Sequence, residues 1–288
     1  MFPDKVPMVS YAQNREDVLL HRVFADQREG FYVDVGAHHP TFGSVTRTFY
    51  DRGWRGINIE PGPIFAKLAA ARPRDINLNV AVSDTAGTIL YSEGPLYSGL
   101  SHVGPGTTPG EVTRPVTART LRDIFEEYWP ASGVSFMSVD VEGHELQVLR
   151  GNDWSRYRPQ LVLVEATKPM SPEPSHHAWE PLLLGADYLF ACFDGLNRFY
   201  VRRENQELAE KLRVPPNVFD HYVLAEMKEL GDLLHLQQAR IAGLEHELAE
   251  ARKLVADIGP RALHYGLSLA RALTRWKRRA RRWLRRAG

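Results

Sequence analysis

Asp34, Gly36 and Glu60 set the first chemistry open to this chain. Asp34 and Gly36 close the segment FYVDVG, and Glu60 closes GINIE, 24 residues after Gly36. A glycine turn beside one acid, with a second acid at that spacing, suits a nucleoside-bearing cofactor: Asp34 near an amino group and Glu60 for ribose hydroxyls. A dinucleotide would bring a pyrophosphate, whose close approach to backbone calls for G-x-G-x-x-G. Here Gly36 is followed by Ala37, His38, His39 and Pro40, so the second and third glycines are missing. S-adenosylmethionine carries no phosphate, and one glycine with two acids suffices for it. The bland alternative is a strand pair with no ligand.

Parallel strands would present these residues. Strands covered on both faces read as near-continuous apolar runs, as FYVDV and GINIE do. INLNVAVSD, FMSVDVEG and QLVLVEAT continue the series, and YLFACFDG with NRFYVR ends it. Helical segments at 64–71, 120–128 and 145–149 alternate with them, the second opened by a capping threonine, Thr120. The order predicts an α/β fold with a mostly parallel sheet and an antiparallel edge hairpin. Residues 91–115, rich in Gly, Ser, Thr and Pro, read as a mobile loop of the kind that serves as a substrate lid.

After Pro215 and Pro216 the pattern changes. Apolar residues from Val223 and Met227 to Val255 and Ile258 alternate steps of four and three over about five heptads, with Gln237 as the one polar member. That is a coiled-coil seam, expected to make a homo-oligomer through residues 223–258; packing of the helix back on the domain is the alternative. Gly259–Pro260 is expected to break the register. Three regions follow: a catalytic domain at 1–222, a coiled-coil helix at 223–258 and a basic amphipathic tail at 259–288.

The composition, 43% hydrophobic and 25% charged over 288 residues, is that of an ordinary globular chain with a sizeable core. One cysteine, Cys192, excludes an intramolecular disulfide and fits a reducing compartment. The first residues show no apolar signal core, and no run of about 18 apolar residues occurs. A cytoplasmic location is expected. The net charge of +1 conceals an asymmetry: residues 261–288 hold ten of the 36 Lys/Arg and no acid, leaving 26 basic against 35 acidic residues before them. Trp276 and Trp283 among those arginines suit an anionic membrane surface, peripheral at the inner face. Nucleic acid is the less favoured partner for this charge, and a solvated tail is the bland reading.

Six segments in order resemble the FkbM family of S-adenosylmethionine-dependent O-methyltransferases. They are YAQNREDVLL at 11–20, FYVDVGAHHP at 31–40, SVTRTFYDRGWRGINIEPGP at 44–63, NVAVSD at 79–84, SVDVEGHELQVLRG at 138–151 and PPNVFD at 215–220. Two positions depart from the family pattern: Ala12 stands for serine in SQ-x-x-ED, and His38 for asparagine in GANHP. The resemblance implies a class I, Rossmann-like methyltransferase fold and methyl transfer to a hydroxyl, often of a sugar or glycan. It further implies that Asp34 and Gly36 contact the methionine part, Glu60 the ribose and Asp84 the adenine side. Gln13 and Asp17 then belong to an N-terminal cover over the cofactor.

Methyl transfer from a sulfonium is an in-line displacement, so a hydroxyl must be aligned and lose its proton. DVEGHE supplies the candidates: Asp140 at a strand tip, with Glu142 and His144 in the turn after it. His144 or His39 is the natural general base, since imidazole titrates near working pH, and Asp140 orients it or the acceptor. Asp140, Glu142, His144 and Glu165 are also oxygen and nitrogen ligands able to converge on a divalent metal. The expected acceptor is a sugar of a cell-envelope polysaccharide or a lipid-linked glycan. A cofactor-binding scaffold that recruits glycan-synthesis enzymes is the interaction-class alternative, and a NAD-dependent sugar oxidoreductase the other enzymatic one.

Overall fold

The computed structural model describes residues 7–94, 101–106 and 110–284. Strand β1 (Met8–Ser10) and helix α1 (Glu16–Val23) lead into β2 (Phe31–Val35), α2 (Arg47–Asp51), β3 (Arg55–Ile59), α3 (Phe65–Ala71) and β4 (Ile76–Leu78). Next come β5 (Ala81–Val82), β6 (Gly87–Glu93), β7 (Ser101–Val103) and β8 (Val112–Arg119). Helix α4 (Leu121–Tyr128), β9 (Phe136–Val139), α5 (Glu145–Arg150), β10 (Leu161–Glu165) and α6 (Glu180–Gly185) restore the alternation. The hairpin β11 (Tyr188–Phe193) and β12 (Asn197–Arg202), helix α7 (Glu207–Glu210) and β13 (Tyr222–Leu224) precede the final helix, α8 (Ala225–Leu284).

Seven strands form the main sheet in the order β11-β12-β10-β9-β2-β3-β4. Strands β10, β9, β2, β3 and β4 run parallel, while β12 is antiparallel to both of its neighbours. This is the mostly parallel sheet with an edge hairpin that the apolar runs predict. Alternate side chains feed two cores. Val33, Val35, Met137, Val139, Val162 and Val164 enter one, and Tyr32, Phe136, Leu161 and Leu163 the other, all under 2% exposed. Burial on both faces is why these runs carry so few polar residues.

Two predicted segments fold differently. INLNVAVSD is not one strand: β4 stays in the main sheet, and β5 joins a four-stranded sheet of order β5-β8-β6-β7. Asn79, between them, donates from Nδ2 to the Glu60 carbonyl at 2.8 Å, which holds the bend. Within 91–115, where a loop is expected from composition, residues 91–93, 101–103 and 112–115 belong to β6, β7 and β8, antiparallel along β6. Pro115 is accommodated because β8 has only β6 beside it there, β5 pairing further on at Ala118 and Arg119.

Residues 226–288 form a second compact unit. Met227, Leu230, Leu234, Ile241, Leu244 and Leu248 are exposed along it, each above 50%. Val223, expected to open the seam, sits in β13 opposite Val9. Helix α8 also continues across Gly259 and Pro260, where a break is expected from sequence. A mid-helix proline removes one N–H donor, and the strong helix formers on both sides carry the helix past it. Among the described residues no helix is long and apolar enough to cross a membrane.

Candidate active site

Gly36 stands one residue past β2 and Asp140 one residue past β9. The chain leaves β2 toward β3 on one side and, after β4, returns to β9 on the other. The two residues therefore meet where strand order reverses, the place where open α/β sheets bind ligands. The Asp140 N–H donates to the Val35 carbonyl at 3.0 Å, and the N–H groups of Gly36 and Ala37 donate to the Ile59 carbonyl at 3.0 and 3.1 Å. Gly36 has φ +85°, and a Cβ on it would lie 1.8 Å from the Asp140 carbonyl oxygen. No side chain fits there.

Two acids flank this turn. Asp34, 6% exposed, accepts a hydrogen bond from Thr46 Oγ1 at 2.7 Å. Glu60, 3% exposed, accepts from the His38 N–H at 2.8 Å and the Gly62 N–H at 2.6 Å, one on each oxygen. Each oxygen keeps a free lone pair for a ligand. His38 has φ +43°. Asparagine and histidine both tolerate the left-handed region better than most residues, so histidine can occupy the family's asparagine position. Arg72, fully buried, ties down the loop carrying these residues by donating to the Pro40 carbonyl at 2.9 Å and Ser44 Oγ at 3.1 Å.

Together they border a crevice of about 360 Å³. Its apolar wall includes Val35, Ile59, Val80 and Val82, and Tyr91 and His102 come from the small sheet. Four acids line it, Asp34, Glu60, Asp140 and Glu142, and no described lysine or arginine does. Asp140 and Glu142 are joined by Glu165 from the tip of β10, one oxygen of each lying within 4.8 Å of the others. Glu142 has φ +52° and Gly143 φ +98°. A non-glycine residue held in that region marks backbone strain of the kind that clusters at functional sites. Glu145 fastens the turn by accepting from the N–H groups of Gly143 at 2.9 Å and Val141 at 3.4 Å.

Residues 34–190 match the model of the methyltransferase FkbM domain. This chain belongs to the FkbM methyltransferase family. The family is S-adenosylmethionine-dependent. A TehB-like SAM-dependent methyltransferase from Corynebacterium glutamicum, known from its crystal structure, is 8% identical. That likeness covers 64% of this chain and 87% of the other at a TM-score of 0.34, which adds nothing to the fold assignment. No curated protein sequence matches.

The crevice of this FkbM domain fits its family's cofactor. Asp34 and Glu60 could take a cationic amine and a ribose diol, and the turn lacks the second and third glycines that let backbone N–H groups meet a pyrophosphate. Gln13 also lines the crevice. Asp17 does not: it accepts from Ser10 Oγ and the Tyr11 N–H, both at 2.7 Å, and so holds the N-terminal segment in place. Asp84 is exposed and outside the wall, near Ser83 Oγ at 3.4 Å, while Val80, Ala81 and Val82 form that side.

Neither histidine expected as a base reaches the crevice. His39 Nδ1 accepts from the N–H groups of Thr41 at 3.1 Å and Phe42 at 3.0 Å, and its Nε2 lies 2.8 Å from Lys67 Nζ. Burial and then Lys67 lower its pKa. His144 stands at the N-cap position of α5 without a side-chain cap, its Nε2 3.1 Å from Ser83 Oγ, and burial lowers its pKa as well. It is not in the group formed by Asp140, Glu142 and Glu165. The acids behave otherwise. Burial first, then Asp140 and Glu145, push Glu142 up to about 8. Asp140 is exposed to the crevice, yet the protein around its carboxyl raises it too, by burial and then Glu145. Glu165 is raised by burial and by the other acids. Burial pushes the Cys192 thiol up to about 12, so that residue offers no nucleophile.

Thr46 and Tyr91 carry no signal in the sequence that would mark them as site residues. The strand Tyr91 belongs to sits in the stretch whose composition reads as a loop.

Proposed function

We propose that this FkbM-family protein transfers a methyl group from S-adenosylmethionine to a hydroxyl of a sugar, in a cell-envelope polysaccharide or a lipid-linked glycan. The observation that carries the reading is a crevice lined by Asp140 and Glu142 together with Asp34 and Glu60, with no described lysine or arginine in its wall. The cofactor supplies an electrophilic methyl group on a sulfonium. Asp34 holds its amine and Glu60 its ribose hydroxyls. Asp140 and Glu142 accept hydrogen bonds from the acceptor, fix its attacking oxygen and take the proton it loses. Vicinal sugar hydroxyls, each a donor, are suited to a paired carboxylate edge. Incorporation of labelled methyl groups into polysaccharide and lipid-linked glycan acceptors tests the reading, and activity confined to a soluble amine or thiol overturns it.

Asp34 gives the reading a pH signature. Its carboxyl is pushed up to about 6, mainly by burial, against the Thr46 hydrogen bond and Arg72, which lower it, and with Asp75 and Glu60, which raise it. A raised acid gains its proton as pH falls through that value, and the protonated form no longer attracts an amine. Affinity for S-adenosylhomocysteine should be level above pH 7 and weaken by up to about tenfold per pH unit below 6. Calorimetry from pH 5 to 8 reads this. Asp34→Asn should bind weakly throughout, and a wild-type affinity independent of pH contradicts the assignment.

The exposed leucines of α8 are proposed to meet a second copy of the chain as a coiled coil, with the ten Lys/Arg of residues 261–288 held at an anionic membrane surface on the cytoplasmic side. Light scattering reads the first, and sedimentation with phosphatidylglycerol vesicles the second.

A further inference from the structure

We propose that Asp140, Glu142 and Glu165 hold one hard divalent cation, Mg²⁺ or Mn²⁺, at the edge of the crevice. One oxygen from each residue lies within 4.8 Å of the other two. Two oxygens on one Mg²⁺, each bound at about 2.0–2.1 Å, stand at most about 4.2 Å apart. The three side chains therefore need to close by no more than a few tenths of an ångström to share one ion.

A second observation points to the ligand. Glu165 is 7% exposed, and its Oε2 is buried with no hydrogen-bond partner. Its carboxyl is hydrogen-bonded to Asp140, a contact two ionised acids cannot make, so the pair must share either a proton or a cation. None of the three has an ion pair with Lys, Arg or His among the described residues. A buried, unpaired carboxylate is costly, and a cation shared by all three removes that cost. The neighbouring Glu145 lies outside the group, and its Oε1 is held by the N–H groups of Val141 and Gly143. An all-oxygen set favours Mg²⁺ or Mn²⁺ over the softer metals, which prefer nitrogen and sulfur.

Three protein oxygens leave the remaining coordination positions to water or an acceptor hydroxyl. Asp140 and Glu142 line the crevice, so those positions face the place where the acceptor must sit. A hydroxyl bound there gives up its proton more readily. That use of the cation rests on the methyl-transfer reading above, whereas the binding itself does not.

Titration of the full-length, metal-stripped protein with Mn²⁺, following the free-ion signal by electron paramagnetic resonance, tests the site. The expected result is one Mn²⁺ bound per chain and displaced by Mg²⁺. Glu165→Gln should weaken it by at least about tenfold, the usual lower bound for losing support at a metal site. Asp140→Asn, at a wet edge where folding is not at stake, should do the same. S-adenosylhomocysteine binding serves as the independent readout in each sample. Protein that binds S-adenosylhomocysteine but leaves the Mn²⁺ signal unchanged overturns the cation site while leaving the cofactor reading intact. Unaltered Mn²⁺ affinity in both variants overturns it equally.

Discussion

Glu142→Gln is expected to lower kcat by about 10²- to 10⁴-fold, the range that positioned proton transfer contributes, with affinity for S-adenosylhomocysteine unchanged. Glutamine keeps the length of the side chain and tolerates the same backbone, so the strained turn at φ +52° stays in place. What disappears is a carboxyl that, once ionised above its pKa of about 8, accepts the proton the acceptor loses. Glu142 follows β9 and is assigned to the acceptor, whereas Asp34, in β2, and Glu60, after β3, are assigned to the cofactor, so the loss is expected in kcat. Steady-state kinetics with a saturating methyl donor and parallel calorimetry separate the two quantities. A variant with wild-type kcat, or one that loses cofactor affinity instead, contradicts the role assigned to Glu142.

Gly36→Ala should be the most damaging small substitution at the site. Its Cβ would sit 1.8 Å from the Asp140 carbonyl oxygen, in a backbone at φ +85°. Left-handed strain costs about 1–2 kcal/mol. Overpacking adds about 1–3 kcal/mol. For a domain of this size each kcal/mol lowers Tm by about 2–4 °C, so a fall of roughly 4–20 °C is expected together with loss of S-adenosylhomocysteine binding. Gly43→Ala is the matched comparison. Gly43 also lines the crevice and has φ +71°, but its Cβ would meet nothing within 4 Å. It should lose only the strain, about 1–2 kcal/mol. Equal Tm shifts for the two variants contradict the contact between the turn after β2 and the end of β9.

These features were legible in the sequence to different degrees, for physical reasons. The Asp34–Gly36 turn and Glu60 are local: each follows its own apolar strand, and both strands form where the residues say they should. The acids of DVEGHE are local in the same sense, since Asp140 ends β9 and Glu142 lies two residues on. Glu165 joins them because β10 pairs with β9 in parallel, so the two strand tips end together. The histidines are different. His39 and His144 have suitable chemistry, but their side chains are engaged by Thr41, Phe42, Lys67 and Ser83, partners fixed by loop folding that no periodicity encodes. The small sheet escaped the pattern because glycine, serine and proline dilute the alternation of β6 to β8. Asp17 is a binding residue by motif and a structural one by contact, since its oxygens are taken up by the backbone and side chain of the preceding segment.

The central claim is that the crevice at the reversal of strand order takes a sulfonium nucleoside and not a dinucleotide. Calorimetric titration of the full chain with S-adenosylhomocysteine and, separately, with NAD tests it most directly. The account predicts saturable heat from S-adenosylhomocysteine, at one equivalent per chain, and none from NAD. Saturable binding of NAD with no response to S-adenosylhomocysteine would contradict it.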